Sequence, residues 1–387
     1  MKPKTIVPFT ALALFAAFVF SSFVSPAFPK KKENRFLQPK IQVAILLDVS
    51  GSMDGLIEQA KAQLWNMVNT MGKAKCDGSV TPKIEIALYE YGRSTNDIKA
   101  GYVKQINGFI SDLDSLSENL FSLTTNGGDE YCGQVIYTSL QQLQWDAAPE
   151  NYKVIFIAGN EDFLQGSLHY SKACTEAKNK GVIVNTIYCG DKMQGIREHW
   201  NLAGECGNGS FTNINQNAKE EDIPTPYDSL LVTYNSSLNS TYVTYGWAGA
   251  GYAAKQGKMD AANAQASKKQ EMARIKTKAS SRVYNNAKWD LIDADADGKL
   301  DEAIADRNAL PDSLKNKSKE EIKKIVEEKS RQRAAVNNQI IELSAKRDAY
   351  IAEQRKKMAA RKQENTLETE VEKIIKEQAK RYKMNIE

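Results

Sequence analysis

Residues 41–55 read IQVAILLDVSGSMDG: an apolar run from Ile41 to Leu47 that stops abruptly at an aspartate, two serines and a glycine. A short apolar run bounded by turn residues is the pattern of a strand buried on both faces. Asp48, Ser50 and Ser52 follow on alternate positions of a turn that Gly51 permits. A hard divalent cation takes oxygen ligands in near-octahedral order, and one carboxylate with two hydroxyls supplies one side of such a shell. A plain Asp/Ser/Gly turn is the competing reading. The surrounding sequence has to separate the two.

Downstream, strand and helix patterns alternate. Leu56, Ala60, Leu64 and Val68 recur at helical spacing up to Gly72, and Ile84–Tyr91 reads as a second strand. A short helix is predicted over 112–123, then the loop TTNGGDEYCG (124–133) and a helix over 133–143. Val154–Ala158 is a third strand, a helix covers 170–178, VIVNTIYC (182–189) is a fourth strand, and GSFTNI (209–214) an edge strand. This alternation predicts an α/β fold with a doubly wound, mostly parallel sheet. Ligands of such sheets bind beyond the carboxyl ends of the strands. The loops after Leu47, Leu123 and Ala158 all fall on that edge.

The chain has 387 residues, 42% hydrophobic and 26% charged, with a net charge of +4. That allows one sizeable core plus a second, looser region, and excludes a polytopic membrane protein. So small a charge, with no nucleic-acid-binding motif, argues against a nucleic-acid partner. At the N-terminus, Lys2 and Lys4 precede an apolar segment (6–24) and then Ser25-Pro26-Ala27. This order predicts a signal peptide over 1–27 and a basic linker over 28–37. The competing reading is an uncleaved anchor, the chain's sole contact with a membrane. The expected location is therefore the periplasm, cell envelope or extracellular space. Export makes disulfides available to the five cysteines, and Cys189 and Cys206, which bracket one loop, are the pair chosen for a bridge. His169 and His199 are isolated, so zinc is not expected.

Beyond Asn217 the texture changes. Pro224 and Pro226 mark a boundary, and residues 218–387 read as mainly helical. Ser318 and Glu321 form a capping box ahead of a long helix in which Val336, Ile340, Leu343 and Tyr350 keep an apolar spacing that Arg347 interrupts. A solvated helix or hairpin is one reading; an oligomerising coiled coil is the other. DADADGKLDEAI (293–304) resembles the start of a calcium loop but has Ile304 where the bidentate glutamate belongs, so it reads as an acidic helix-linking loop. Trp200, Trp247 and Trp289 are read as packing anchors. Cys132 has no base nearby in sequence, and no enzyme motif is present.

Residues 41–53, with LTTNGGDEYCGQVI (123–136) and KVIFIAGNEDF (153–163), resemble a von Willebrand factor type A domain over residues 38–217. The resemblance implies a Rossmann-like sheet wrapped by helices and a metal-ion-dependent adhesion site at its carboxyl edge. In that family the D-x-S-x-S ligands are joined by a threonine and an aspartate from two later loops, and the metal accepts a partner's carboxylate. Here the usual T-D-G is replaced by Ala158-Gly159-Asn160, and Gly127-Gly128-Asp129-Glu130 stands where the threonine belongs. Two readings stay open. Glu130 and Glu161 join Asp48, Ser50 and Ser52 as ligands of a divalent cation, magnesium before calcium or manganese; or the turn is purely structural. The resemblance implies an exported, non-enzymatic protein that binds another envelope or extracellular protein. The alternative is a metal-free scaffold that oligomerises through its helical region.

Overall fold

The computed structural model describes residues 38–76, 80–217, 222–358 and 367–386. The expected signal segment (1–27) and linker (28–37) lie outside these residues. Six strands form one sheet: β1 (Lys40–Asp48), β2 (Lys83–Tyr91), β3 (Lys104–Ile110), β4 (Tyr152–Gly159), β5 (Ile183–Cys189) and β6 (Asn208–Ile214). Their order is β3-β2-β1-β4-β5-β6, with every neighbouring pair parallel except β2 and β3. The order reverses direction at β1, so the turn after Asp48 sits at the switch point where ligands of doubly wound sheets bind. The antiparallel edge strand β3 went unread in the sequence because KQINGFI lacks a clean apolar alternation.

Each face of the sheet is covered by helices. α1 (Asp54–Gly72) and α2 (Leu113–Ser122) cover one face, over Ile41, Val43 and Leu47 of β1. On the other, α3 (Cys132–Gln142), α4 (Tyr170–Lys180) and α6 (Trp200–Cys206) pack over Ala44 and Leu46, with the short α5 (Lys192–Arg197) beside them. The odd and even positions of β1 thus feed two separate cores, as a strand buried on both faces must. Asp112 caps α2 by accepting from the backbone N–H groups of Asp114 and Ser115.

After β6 the chain leaves the layer and builds a helical insert. It contains α7 (Asp228–Asn239), α8 (Gly249–Ala266), α9 (Lys268–Lys278), α10 (Leu291–Ala296), α11 (Leu300–Ala303), α12 (Asp312–Lys315) and the long α13 (Lys319–Met358). The capping box at the head of α13 forms in both directions: Ser318 N–H donates to Glu321 at 2.7 Å, and Glu321 N–H to Ser318 Oγ at 3.1 Å. The apolar stripe of α13 is spent inside the chain. Ile322 and Val326 pack with α10–α12, and Ile340 with Val336 and Leu343 against α7 and α9. Arg347, which interrupts the stripe, is buried and donates from Nε to Asp228 at 2.8 Å. Asp293, first acid of the calcium-like loop, is taken up as well: Arg333 donates to Asp293 and Asp290, at 3.0 and 2.6 Å. No described helix is long and apolar enough to cross a membrane.

The chain then returns to the sheet as α14 (Leu367–Ala379), which packs beside α1 and completes the first core. Gln378 anchors it. Tyr152 OH and Asn185 Nδ2 both donate to Gln378 Oε1, at 2.9 and 3.1 Å, and Gln378 Nε2 donates to Asn185 Oδ1 at 2.7 Å. Gln378→Ala leaves Tyr152 OH and Asn185 Nδ2 without an acceptor, while Asn185 Oδ1 keeps the Ser210 N–H at 2.8 Å; each orphaned group costs about 1–3 kcal/mol. We expect a loss of about 2 kcal/mol or more in urea unfolding; a change within about 0.5 kcal/mol would show that the network is not needed to dock α14.

Two expectations from the sequence are corrected here. The disulfide joins Cys174 and Cys206, not Cys189 and Cys206. Cys189 points into the α1/α14 core, whereas Cys174 and Cys206 lie on α4 and α6, which pack side by side on the opposite face. Of the three tryptophans read as packing anchors, Trp200 and Trp289 are buried, but Trp247 is 82% exposed in the loop ahead of α8.

Candidate functional site

Asp48 closes β1, and its side chain is fully buried at the sheet's carboxyl edge. Oδ1 accepts the Ser50 N–H at 2.7 Å, an Asx turn that folds the D-x-S-x-S stretch back over the strand end. Oδ2 is buried and has no hydrogen-bond partner. Ser50 Oγ lies 3.4 Å from Ser52 Oγ, and Asn160 Nδ2 donates to Ser52 Oγ at 3.2 Å. The loop after β4 is thus tied to the first turn. The loop before α3 is tied to it as well, through Asn126 N–H donating to the Val49 carbonyl at 2.8 Å.

Glu130 belongs to this cluster. Its carboxyl is buried, and the nearby Ser50 hydroxyl favours its charged form. A Cβ placed on Gly92 would lie 2.8 Å from Asp48 Oδ1 and 3.0 Å from Glu130 Cγ, so both acids crowd one point. Gly92 has φ +81°, which makes glycine the residue for that turn on both counts. Burial, with the neighbouring charge of Glu161, pushes the Asp48 carboxyl up to about 6. Burial, followed by the charges of Asp48 and Glu161, pushes Glu130 up to about 8. The low dielectric resists either carboxylate, and each resists the other.

Of the five candidates, Asp48, Ser50, Ser52 and Glu130 come together. Glu161 is exposed; its backbone carbonyl accepts from Trp200 Nε1 at 2.7 Å, and its charge acts on both buried acids. Thr124 and Thr125 serve elsewhere: Thr125 Oγ1 donates to Asp54, and Arg93 reaches Thr124. Gly159 stands at the carboxyl end of β4, where the family's aspartate is expected. A Cβ there would lie 3.1 Å from Asp48 Oδ2 and 2.6 Å from Tyr91 OH, which donates to the Ala158 carbonyl at 2.9 Å. Tyr91 therefore fills the space an aspartate would need.

The roles of Gly92 and Tyr91 at this site were missed in the sequence. The one available signal was the polar, glycine-bearing turn YGRS (91–94) after the second strand. Cys132 Sγ is 3.8 Å from Tyr91 OH, fully buried, and its thiol is pushed well above the usual range by burial. His199, in a left-handed backbone conformation at φ 64°, lies 3.0 Å from Asp162 through Nδ1. His169 caps α4 by accepting from Ser171 N–H. Among the described residues, no group of three or more His, Cys, Asp or Glu is gathered as a metal cage. Any ion at this edge would rest on hydroxyls as much as on carboxylates.

No family model matches the chain, and no curated protein matches its sequence. Solved structures do match. Proximal thread matrix protein 1 from the mussel byssus, with a zinc-occupied MIDAS motif, is 13% identical, with TM-score 0.35 over 46% of this chain and 42% of that one. A von Willebrand factor type A protein from Catenulispora acidiphila is 12% identical, with TM-score 0.35 over 46% and 39%. An aerotolerance-related membrane protein from Bacteroides fragilis is 16% identical, with TM-score 0.33 over 46% and 93%. This chain thus spans about two fifths of the length of the first two. Its strand order, antiparallel edge strand and D-x-S-x-S turn at the switch point are those of a doubly wound, mostly parallel α/β sheet.

Proposed function

We propose that this is an exported, non-enzymatic protein-binding molecule that meets another envelope or extracellular protein at the carboxyl edge of its sheet. A divalent cation at Asp48, Ser50, Ser52 and Glu130 would organise that edge, with Glu161 acting through its charge. The observation that carries the reading is the buried, unpartnered Oδ2 of Asp48. A buried acceptor left without a donor is costly, and a cation is the group that would satisfy it beside two hydroxyls and a second acid. The donor set is all oxygen, which suits magnesium, calcium or manganese. When bound, the ion supplies a fixed positive charge that holds these oxygens in place. Binding is favoured over catalysis because the thiols at this edge, Cys132 and Cys189, are both buried, which disfavours their thiolates.

A metal-free scaffold is the second reading, and the lack of a three-acid cage among the described residues favours it. Its oligomerising coiled coil is less supported, since the apolar stripe of α13 is covered by the chain's own helices. Thermal unfolding of the full chain separates the two. A native-state ligand stabilises by about 2.7 kcal/mol at a hundredfold excess over Kd. Magnesium, manganese or calcium should raise the midpoint, and Asp48→Ala should abolish the rise. A flat titration to millimolar metal would leave the scaffold in front.

A further inference from the structure

Between α1, α9, α13 and the head of α14 lies a cavity of about 320 Å³ that shares no residue with the Asp48 cluster. Its size is at the lower end of the range of ligand pockets, about 300–1,000 Å³. Part of the wall is apolar: Met272 and Ala273 of α9, Ile351 and Ala352 of α13, and Ile223 ahead of α7. The remainder is polar, and most of its charges are already matched. Lys276 donates to Asp348 at 2.6 Å, Lys269 is paired with Glu368, and Asp222 accepts the Lys268 N–H at 2.9 Å. Arg355 is engaged as well. Arg347 is the exception. It lines the cavity and is 7% exposed. Asp228 takes only its Nε, at 2.8 Å, and is itself fixed by the hydroxyl and backbone N–H of Thr225, which donate at 2.7 and 3.0 Å. Neither terminal nitrogen of Arg347 hydrogen-bonds to a described residue. Ser344, one turn earlier on the same wall and 4% exposed, has a hydroxyl that is likewise unbonded among the described residues.

We infer that this cavity binds a small organic anion, a carboxylate or phosphate carried on an apolar body. A guanidinium presents its donors in a planar fork that matches both groups, and such charge-assisted bonds are the strong ones. Buried donors left unmade are costly, and with Asp228 holding Nε the open donors are the terminal ones. The anion meets these nitrogens and the Ser344 hydroxyl, and the body lies against Met272 and Ile351. This accounts for an arginine on the apolar seam of α13, where helix packing alone has no use for one. The inference does not depend on whether the carboxyl edge of the sheet holds a cation.

Fluorine NMR titrations of the full chain test this, with 4-fluorobenzoate and 4-fluorophenyl phosphate as anionic probes and 4-fluorobenzyl alcohol as the neutral control. At least one anion should bind saturably and the alcohol should not; the tighter anion identifies the acid class. Arg347→Lys keeps a charge beside Asp228 but removes the fork, and should weaken anion binding by roughly tenfold. Ala352→Trp, at an exposed position of α13, should obstruct the cavity and weaken binding at least as much while leaving the buried pair alone. Arg331→Gln, exposed on the same helix, should change nothing. Thermal unfolding establishes that each variant is folded, and if Arg347→Lys is not, Ala352→Trp decides alone. No saturable binding of either anion at millimolar concentration would overturn the inference. So would an alcohol that binds as tightly as the anions, anion binding that Ala352→Trp leaves intact, or a loss in Arg331→Gln as large as in Arg347→Lys.

Discussion

Arg274→Ala should cost the protein about 3–5 kcal/mol of folding stability, the usual effect of removing one partner from a buried charge network. Arg274 lies on α9, 1% exposed, and joins the insert to the sheet layer. Its guanidinium donates to Asp114 of α2 at 2.7 Å and to Asp260 of α8 at 2.6 Å, and stacks over Trp65 of α1 at 4.7 Å. Lys278 donates to Asp260 at 2.7 Å, and Tyr284 OH to Asp114 at 2.6 Å. Burial alone would raise the Asp260 carboxyl, but Lys278 and Arg274 outweigh it and hold the group at about 2. A carboxyl depressed in this way contributes stability above its ordinary value near 3.8 that is lost as pH falls through about 2. With Arg274 removed, Asp114 loses its cation, while Asp260 keeps Lys278 and the side-chain amides of Asn235 and Asn239. Urea unfolding of the full chain at neutral pH measures the loss. Adding Asp114→Asn to Arg274→Met should recover part of it, because the stranded Asp114 charge goes too while Asp260 keeps Lys278. A single-variant loss below about 1 kcal/mol would mean that water reaches the network.

The second large effect is a pH profile at the Asp48 edge. Asp48 rises from 3.8 to about 6 and Glu130 from 4.5 to about 8 on folding. Raised carboxyls bind protons more tightly in the folded state, so stability is greatest at low pH and falls as pH rises through these values. Each tenfold gain in proton affinity corresponds to about 1.4 kcal/mol, which puts the total fall between about pH 4 and pH 8 at several kcal/mol. Saturating magnesium should flatten the profile, since a cation favours the charged forms. Glu130→Gln should remove the upper part of the slope and Asp48→Asn the lower. Urea midpoints in EDTA and in millimolar magnesium at about pH 5 and about pH 8.5 make the comparison. A flat profile in EDTA, or a slope that magnesium leaves untouched, would count against a charged cluster awaiting a cation.

What was legible in the sequence was local. The strand starting near Ile41 and ending at Asp48 shows in its apolar run, and the short helix over 112–123 in the spacing of Leu113, Leu116 and Leu120. The D-x-S-x-S turn fell at the switch point because strand alternation fixes where β1 must end. Distance in the chain hid the rest. Gly92 and Tyr91 shape the site from a loop that no residue pattern links to Asp48. Nothing in LETEVEKIIKEQA (367–379) says that its apolar face belongs to a sheet completed through Asn185 and Tyr152. The bridge was misassigned for a related reason: Cys174 and Cys206 meet through the packing of two helices, while Cys189 and Cys206 are merely closer in sequence.

The return of α14 has a bearing on the order in which the molecule can be made. Leu367 N–H donates to Gln59 Oε1 across 308 residues, and Tyr152 reaches Gln378 across 226. Contacts of such long range form late, because the intervening chain must close before they contribute. As the polypeptide emerges from the ribosome, α1 and the strands can assemble, but one face of the sheet lacks α14 until residues 367–379 have been synthesised. Until then the apolar face that α14 covers stays open, a state in which a partly folded chain is prone to associate through exposed apolar surface.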